Sequence, residues 1–397
     1  MSYDWTAPAI EPSADAALAA RLRQRIDHLT KPLGALGRIE ALMLQLGLLQ
    51  RSERPRLEAP QALVFAADHG LAAQGVSAYP AEVTAQMVAN FMAGGAAISV
   101  LARQHAMALT IVDAGVRSPI PGLLGEGALQ GAAAPSSARP RFVSAPVAAG
   151  TADALLGAAM SHAQCVQALE LGRATVSGLP GNALVLGEMG IGNTSAAALL
   201  TARLTGAPLA RCIGRGTGLD DAALERKRAV LERVAERHAE ARAPLEALAA
   251  FGGFEIAALA GALLQAAHER RLVVVDGFIV TAALLVAHAL RPAVLDACVF
   301  AHCSDEAGHR GALDHLRAEP LLALGLRLGE GSGAALAWPI VASAVALLDG
   351  MASFQAAGVS TAASSHPAGV STAASSHSAG VDTAASPHGA GVGSTPT

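Results

Sequence analysis

The chain has 397 residues, a formal net charge of −4 and an isoelectric point near 6.3. Hydrophobic residues make up 52% and aromatics only 3%, so the core has to be built from Ala, Leu and Val, within one large α/β domain or two ordinary ones. Lys and Arg form no long basic block, which excludes the electrostatic footprint of a nucleic-acid binder.

Cys165, Cys212, Cys298 and Cys303 make no C-x-x-C pair, so neither a disulfide framework nor a zinc ribbon is indicated, and a reducing cytosol suits them. The opening Met1-Ser2-Tyr3-Asp4-Trp5 is polar, with Pro8, Glu11 and Pro12 behind it, and no secretory signal is expected. Mean hydropathy is positive, yet no membrane span is expected either. The most apolar window, Leu272 to Leu290, contains Asp276, Gly277, Thr281 and His288, and the next, Gly333 to Leu348, contains Pro339.

In chain order, Leu18, Leu22, Ile26 and Leu29 recur at helical spacing, as do Ile39, Leu42, Met43, Leu46 and Leu49. The two helices break at Lys31-Pro32-Leu33-Gly34, and Arg51 to Pro60 is a charged, proline-bearing linker. From Gln61 short apolar runs end abruptly in polar residues and are followed by helical stretches. Leu63–Ala67 ends in Asp68-His69-Gly70, Ala108–Val112 in Asp113, Ala183–Leu186 in Gly187-Glu188, Leu272–Val275 in Asp276-Gly277, and Ala297–Ala301 in His302. Strands alternating with helices predict a parallel sheet covered on both faces, with ligands outside the carboxyl ends of its strands. The active site is expected at that edge. From Ala357 to Thr397 an eleven-residue Ser/Gly/Thr/Ala repeat has no large apolar side chains, and a disordered tail is expected there. A metal at its spaced histidines, His366, His377 and His388, is the weaker reading.

Three glycine segments carry candidate chemistry. Gly187-Glu-Met-Gly-Ile-Gly-Asn-Thr-Ser195 runs from a strand into an Ala/Leu helix, where glycines let backbone approach an anion and the first helical N–H groups donate to it. Asn193, Thr194 or Ser195 is a candidate cap, and a ligand-free tight turn is the alternative. The segment nearly fits a dinucleotide fingerprint, but no acid lies between Glu188 and Asp220 to take a ribose. Gly214-Arg-Gly-Thr-Gly218 leads into a charged helix capped by Asp220 or Asp221 and carrying Lys227, which either reaches an anion or is a solvated lysine. Leu328-Gly-Glu-Gly-Ser-Gly333 sets Glu330 between glycines beside an apolar helix, a setting for a raised pKa or an ordinary turn. His302, Cys303 and His309 match no standard metal set, and a helix cap at Ser304-Asp-Glu306 is the preferred reading.

Taken together these segments resemble the nicotinate-nucleotide–dimethylbenzimidazole phosphoribosyltransferase family, which prepares the lower ligand of cobalamin. The resemblance rests on nine stretches in order. They are Lys31-Pro-Leu-Gly-Ala-Leu-Gly37, Ala67-Asp-His-Gly70, Gly75-Val-Ser-Ala-Tyr-Pro80, Val83-Thr-Ala-Gln-Met87, Gly187–Thr194, Gly214–Gly218, Val275-Asp-Gly-Phe278, His302–His309 and Gly329–Gly333. It implies an α/β fold: a doubly wound, mainly parallel, Rossmann-like sheet with a small helical domain made from both chain ends. Residues 1–60 and 325–356 would form that small domain, 61–324 the catalytic domain, and 357–397 the tail.

The resemblance also implies a cytoplasmic homodimer that transfers the phosphoribosyl group of nicotinate mononucleotide to dimethylbenzimidazole without metal or cofactor. By it Glu330 is the general base and Glu188 a second carboxylate near the ribose. Gly190, Ile191, Gly192, Asn193, Thr194 and Lys227 hold the 5′-phosphate, and Ser77, Tyr79, Gln86 and Met87 form the base pocket. Two other readings compete: a nucleotide-dependent oxidoreductase on a similar sheet, and a mononucleotide-binding protein without catalysis. The first expects a ribose acid that is missing; the second has no use for a glutamate at 330.

Overall fold

The computed structural model describes residues 5–122, 139–216 and 218–360. Helix α1 (Ala16–His28) starts at Asp15, whose carboxylate accepts from Leu18 N, and buries Leu18, Leu22 and Ile26. After a break where Lys31 pairs with Glu40 at 2.8 Å, α2 (Arg38–Leu49) buries Leu42, Met43, Leu46 and Leu49. Both helices match the periodic pattern that predicted them.

The chain then continues through β1 (Gln61–Ala67), α3 (Glu82–Ala93), α4 (Ala97–Gln104), β2 (Ala108–Gly115), β3 (Arg141–Ser144), α5 (His162–Ser177) and β4 (Ala183–Met189). Next come α6 (Asn193–Thr205), α7 (Leu209–Cys212), α8 (Asp221–Arg237), α9 (Pro244–Phe251), α10 (Phe254–His268), β5 (Leu272–Val275) and α11 (Phe278–Leu290). The last elements are β6 (Cys298–Phe300), α12 (His309–His315), α13 (Ser332–Gly350) and α14 (Phe354–Ala357).

The six strands lie in the order β3-β2-β1-β4-β5-β6, and every pairing is parallel. This is the order of a doubly wound sheet whose topological switch lies between β1 and β4. Phe65 stands opposite Glu188 in that central pairing, so Asp68 and His69 emerge beside Glu188 and Met189 at the switch point. Helices flank the sheet. From Phe254 to Ala267 every residue of α10 is buried, against α5 and four of the strands. An Ala/Leu helix enclosed on all sides shows almost no amphipathic stripe, and between Phe254 and Ala267 Glu255 and Gln265 interrupt an otherwise apolar sequence.

Helices from the two chain ends meet. α13 packs on α2, and Thr30 N donates to Ala352 O at 3.0 Å. By length and apolarity α13 passes for a membrane-crossing helix, but it packs against α2, α4, β4 and β5.

Strand β3 was not expected. It is a four-residue edge strand, exposed at both ends and half-buried between, so it lacks the apolar run that marks the others. Two caps also differ from expectation. α6 begins at Asn193 behind Gly192, with no side-chain cap, because Asn193 turns back to Glu188 instead. α12 begins only at His309 behind Gly308, so Ser304-Asp-Glu306 is a turn before the helix and not its cap. The expected tail falls at residues 361–397, outside the described residues, while Ala357 itself closes α14.

Candidate active site

Of the five residues that punctuate the apolar runs, Glu188, Asp276 and His302 line one cleft at the carboxyl edge of the sheet, with a cavity volume of about 100 Å³. Gly190, Ile191, Asn193, Thr194, Gly216, Ser304, Glu306, Arg327 and Gly329 complete its polar lining.

On one side the β4–α6 turn supplies the glycine loop. Of its five expected amide donors two are already engaged: Ile191 N donates to Thr84 Oγ1 at 3.2 Å and Asn193 N to Gly190 O at 3.1 Å. Lys227 lies below the loop, fully buried, and donates to Thr194 Oγ1 at 3.0 Å and Gly214 O at 3.2 Å. Burial pulls its ammonium down to about 8, against the nearby charge of Glu306. The two glycine segments meet at one corner of the cleft, and Lys227, itself outside the lining, is bonded to both of them. Asp220 caps α8 through Ala223 N and so fixes the helix that carries Lys227.

Glu188 stands at the centre, 7% exposed, with the Asn193 side-chain amide donating to it. Burial first, then the charges of Glu255 and Asp276, push its carboxyl up to about 8. The Asn193 hydrogen bond opposes them, and Glu330 adds a smaller upward push.

Glu330 lies immediately behind. The lining of the cleft ends at Gly329, and the Glu330 side chain turns to the start of α4, where Oε2 accepts from Ile98 N at 3.4 Å. Gly329, Glu330 and Gly331 have consecutive φ values of +83°, +66° and +87°. A non-glycine residue in the left-handed region is strained unless its surroundings hold it. Asp276 does so, its carboxylate accepting from Gly331 N at 3.2 Å and Ala334 N at 2.9 Å. That carboxylate takes the place of a cap for α13, which has no capping side chain at Gly331. Gly187 completes the contact, since a Cβ there would lie 2.1 Å from the Glu330 carbonyl oxygen. Burial raises the Glu330 carboxyl above its ordinary range. The Ile98 N–H opposes that, Asp276 adds to it, and the Ala97 N–H opposes it further.

His302 approaches Asp276 at 3.5 Å. His309, pushed down to about 3 by burial and by His302, accepts from Ser304 N and faces Thr281 Oγ1, so it serves the loop as a neutral ring. Ser77, Tyr79, Gln86 and Met87 lie outside the lining of the cleft. Tyr79 is 53% exposed, Gln86 is exposed, and Met87 is half-buried against the core. Gln86 and Met87 sit on α3 just beyond Thr84, the residue that holds Ile191. Sequence reasoning missed the clamping role of Asp276 and the placing of Glu306 and Arg327 in the cleft. Position at a strand end was the available signal for Asp276; Glu306 was read as part of a helix cap, and nothing local marked Arg327.

Comparison with known proteins agrees with the fold. A family model described as phosphoribosyltransferase matches residues 11–359. A nicotinate-nucleotide–dimethylbenzimidazole phosphoribosyltransferase of Variovorax paradoxus is 61% identical over 355 residues, which is 89% of this chain and 97% of the relative. One from Cupriavidus necator is 58% identical over 359 residues, 90% of this chain and 99% of the relative. The crystal structure of CobT from Thermus thermophilus superposes with a TM-score of 0.79 at 42% identity, covering 87% of this chain and 99% of that one. With a family model across most of its length and relatives aligned nearly end to end, the chain belongs to the nicotinate-nucleotide–dimethylbenzimidazole phosphoribosyltransferase family.

Proposed function

We propose that the enzyme joins dimethylbenzimidazole to the ribose of nicotinate mononucleotide with Glu330 as base and Glu188 as the carboxylate facing the ribose. The products are α-ribazole 5′-phosphate and nicotinate, for the nucleotide loop of cobalamin. The observation that carries the assignment is that two buried carboxylates flank one glycine backbone and face different surroundings. Glu188 opens on the cleft that holds the anion corner, and Glu330 faces the start of α4. Displacement with inversion needs its nucleophile and leaving group on opposite faces of C1′, so in this reading the benzimidazole enters from the Glu330 side.

The free benzimidazole nitrogen attacks C1′ while the bond from C1′ to the nicotinate nitrogen breaks. Its electrons neutralise the pyridinium, so the leaving group needs no acid. The proton released from the benzimidazole N–H passes to Glu330, whose raised proton affinity suits a base near neutral pH. Positive charge gathering on the ribose is met by Glu188 in its ionised form, dominant above about pH 8, in a buried site where such an interaction is strong. Thr194 and Lys227 hold the 5′-phosphate together with the amides of Gly190 and Gly192. The engaged amides of Ile191 and Asn193 stiffen the turn. Ser77, Tyr79, Gln86 and Met87 belong to the benzimidazole side, supported by the position of α3 against the glycine loop.

We also assign residues 1–60 and 325–356 to one small helical domain, a homodimeric state and a cytoplasmic location. Support comes from the meeting of α2 with α13, from exposed Leu33, Leu324 and Leu328, and from four free thiols. Sedimentation of the purified protein tests the dimer. Incubation with both substrates, followed by chromatography, tests the reaction. Equal amounts of α-ribazole phosphate and nicotinate are expected. Nicotinate without the coupled product would make this chain a hydrolase.

A further inference from the structure

One buried ion pair at the switch point has no part in the reaction as described. His69, directly after β1, and Glu255, in the first turn of α10, meet at 2.5 Å between Nε2 and Oε1. Their side chains are 3% and 0% exposed, and 186 residues separate them in the chain. An ion pair taken wholly out of water gives little net stability, since desolvation offsets the attraction. Its position is more telling than its energy.

The pair lies under the glycine loop. A Cβ on Gly190 would stand 2.6 Å from Ala67 O and 3.1 Å from Glu255 Oε1, so the turn that follows Glu188 rests on the end of β1 and on this carboxylate. From the other side the chain closes equally tightly, because a Cβ on Gly253 would lie 2.3 Å from Glu255 Oε2 and 2.4 Å from His69 Cε1. Glu255 Oε2 is buried with no hydrogen-bond partner among the described residues. Among the described residues His69 is the ion-pair partner of this carboxylate, and its second oxygen is left unpaired.

The charges around Glu188 can be named element by element. α10 brings Glu255, β5 brings Asp276 and the loop before α13 brings Glu330; the end of β1 sets His69 against Glu255, with Asp68 beside it. His302 stands behind Asp276. α6 contributes only the neutral Asn193. Lys227 is held at Thr194 and Gly214 beside Glu306, and Arg327 at Gly216. Among the groups packed at the switch point, carboxylates outnumber cations, and His69 is the cation placed against the Glu255 charge.

We propose that His69 and Glu255 form a positioning pair for Glu188: they seat the Gly190–Gly192 turn on β1, and the imidazolium sets how much of the Glu255 charge reaches Glu188. The proposal rests on the reading of Glu188 as the ribose-facing carboxylate. It agrees with the direction at His69, where burial lowers proton affinity but the charge and hydrogen bond of Glu255, with Asp68, raise it overall.

Opposite substitutions in the pair then have opposite effects. Glu255→Gln removes a negative neighbour and lets Glu188 ionise at lower pH. His69→Gln leaves Glu255 uncompensated and makes Glu188 ionise at higher pH. The experiment is the pH profile of kcat/KM for nicotinate mononucleotide in wild type and both variants, with thermal melting to confirm the fold. The step assigned to Glu188 should move by about one pH unit down in the first and about one up in the second. A common fall in rate with no displacement, or displacement in the same direction, overturns the proposal.

Glu188→Gln is run beside them. Loss of the step there locates it at Glu188; its persistence shows that the reading of Glu188 itself has failed, whatever the pair does. If either pair variant does not fold, ¹⁵N resonances of histidine-labelled wild-type enzyme decide. A His69 ring that holds its proton to higher pH than the chain's exposed histidines is expected, and one that loses it at lower pH overturns the proposal.

Discussion

Glu188 and Glu330 make a controlled comparison inside one molecule. Each follows a glycine and is nearly buried, and the two backbones touch through Gly187. Glu188 sits in strand geometry opposite Phe65, and the charges that reach it are mostly those of other carboxylates. Glu330 sits in left-handed geometry and points at backbone N–H groups at the start of α4. Like charges favour the protonated form, whereas amide donors favour the ionised one. Burial raises both carboxyls; with carboxylate neighbours added the first is pushed up to about 8, while the second, though raised, is held back by its donors. Identical residues with similar burial acquire different roles from what surrounds them.

The largest expected effect breaks the comparison outright. Glu330→Gln keeps the size and reach of the side chain but cannot take the benzimidazole proton. General-base catalysis supplies ~10²–10⁴-fold, so kcat should fall by that factor, equivalent to ~3–5 kcal/mol of barrier. Affinity for the mononucleotide should change little in steady-state and binding measurements. Should Glu330→Gln turn over within threefold of wild type while Glu188→Gln is dead, the two roles are exchanged.

Next comes the phosphate corner, which belongs to the Glu188 side alone. A charge-assisted hydrogen bond contributes ~1.5–3 kcal/mol, so Lys227→Ala should lose about ten- to a hundredfold in kcat/KM for the mononucleotide. The KM for the benzimidazole should hardly move. Equal losses for both substrates would remove Lys227 from the phosphate site.

Asp276→Asn sharpens the comparison because Asp276 acts on both carboxylates. It weakens the acceptor of Gly331 N and Ala334 N, with an expected loss of ~1–2 kcal/mol of stability by denaturant melting. The Asp276 charge raises both Glu188 and Glu330, so the acid side of the kcat profile should shift to lower pH. A shift to higher pH would contradict that placement of the charge.

The smallest effect is on pH dependence of anion binding. Lys227 carries its charge below about 8 and loses it above, so the affinity of the free enzyme for ribose 5-phosphate should weaken as pH rises through about 8. Measuring this by calorimetry in Glu188→Gln removes the other group that titrates in that range. Lys227→Arg should abolish the loss, because a guanidinium stays charged. An alkaline loss that survives in the arginine variant would have another source.

Much of this was legible in the residues. Apolar runs of four or five ending in Asp, Glu or His marked five of the six strands among the described residues and the edge where the cleft lies. Only β3 escaped, because an exposed edge strand needs no apolar run. The glycine loop and Lys227 were readable as anion chemistry, though not that Thr84 would take the Ile191 amide. Glu330 stood out between its glycines, but its direction did not.

By itself the sequence determined the alternation of strands and helices, the glycine turns and the set of ionisable groups at strand ends. Those follow from side-chain periodicity and from backbone conformations that few residues tolerate, both local properties. Tertiary structure decided which of those groups meet. His69 finds Glu255, Asp276 clamps the loop carrying Glu330, and Glu188 and Glu330 come to lie back to back across Gly187. Such meetings depend on strand order and on close backbone contact between segments more than a hundred residues apart in two of the three cases, and the charge a carboxylate bears depends on those neighbours rather than on its own place in the chain.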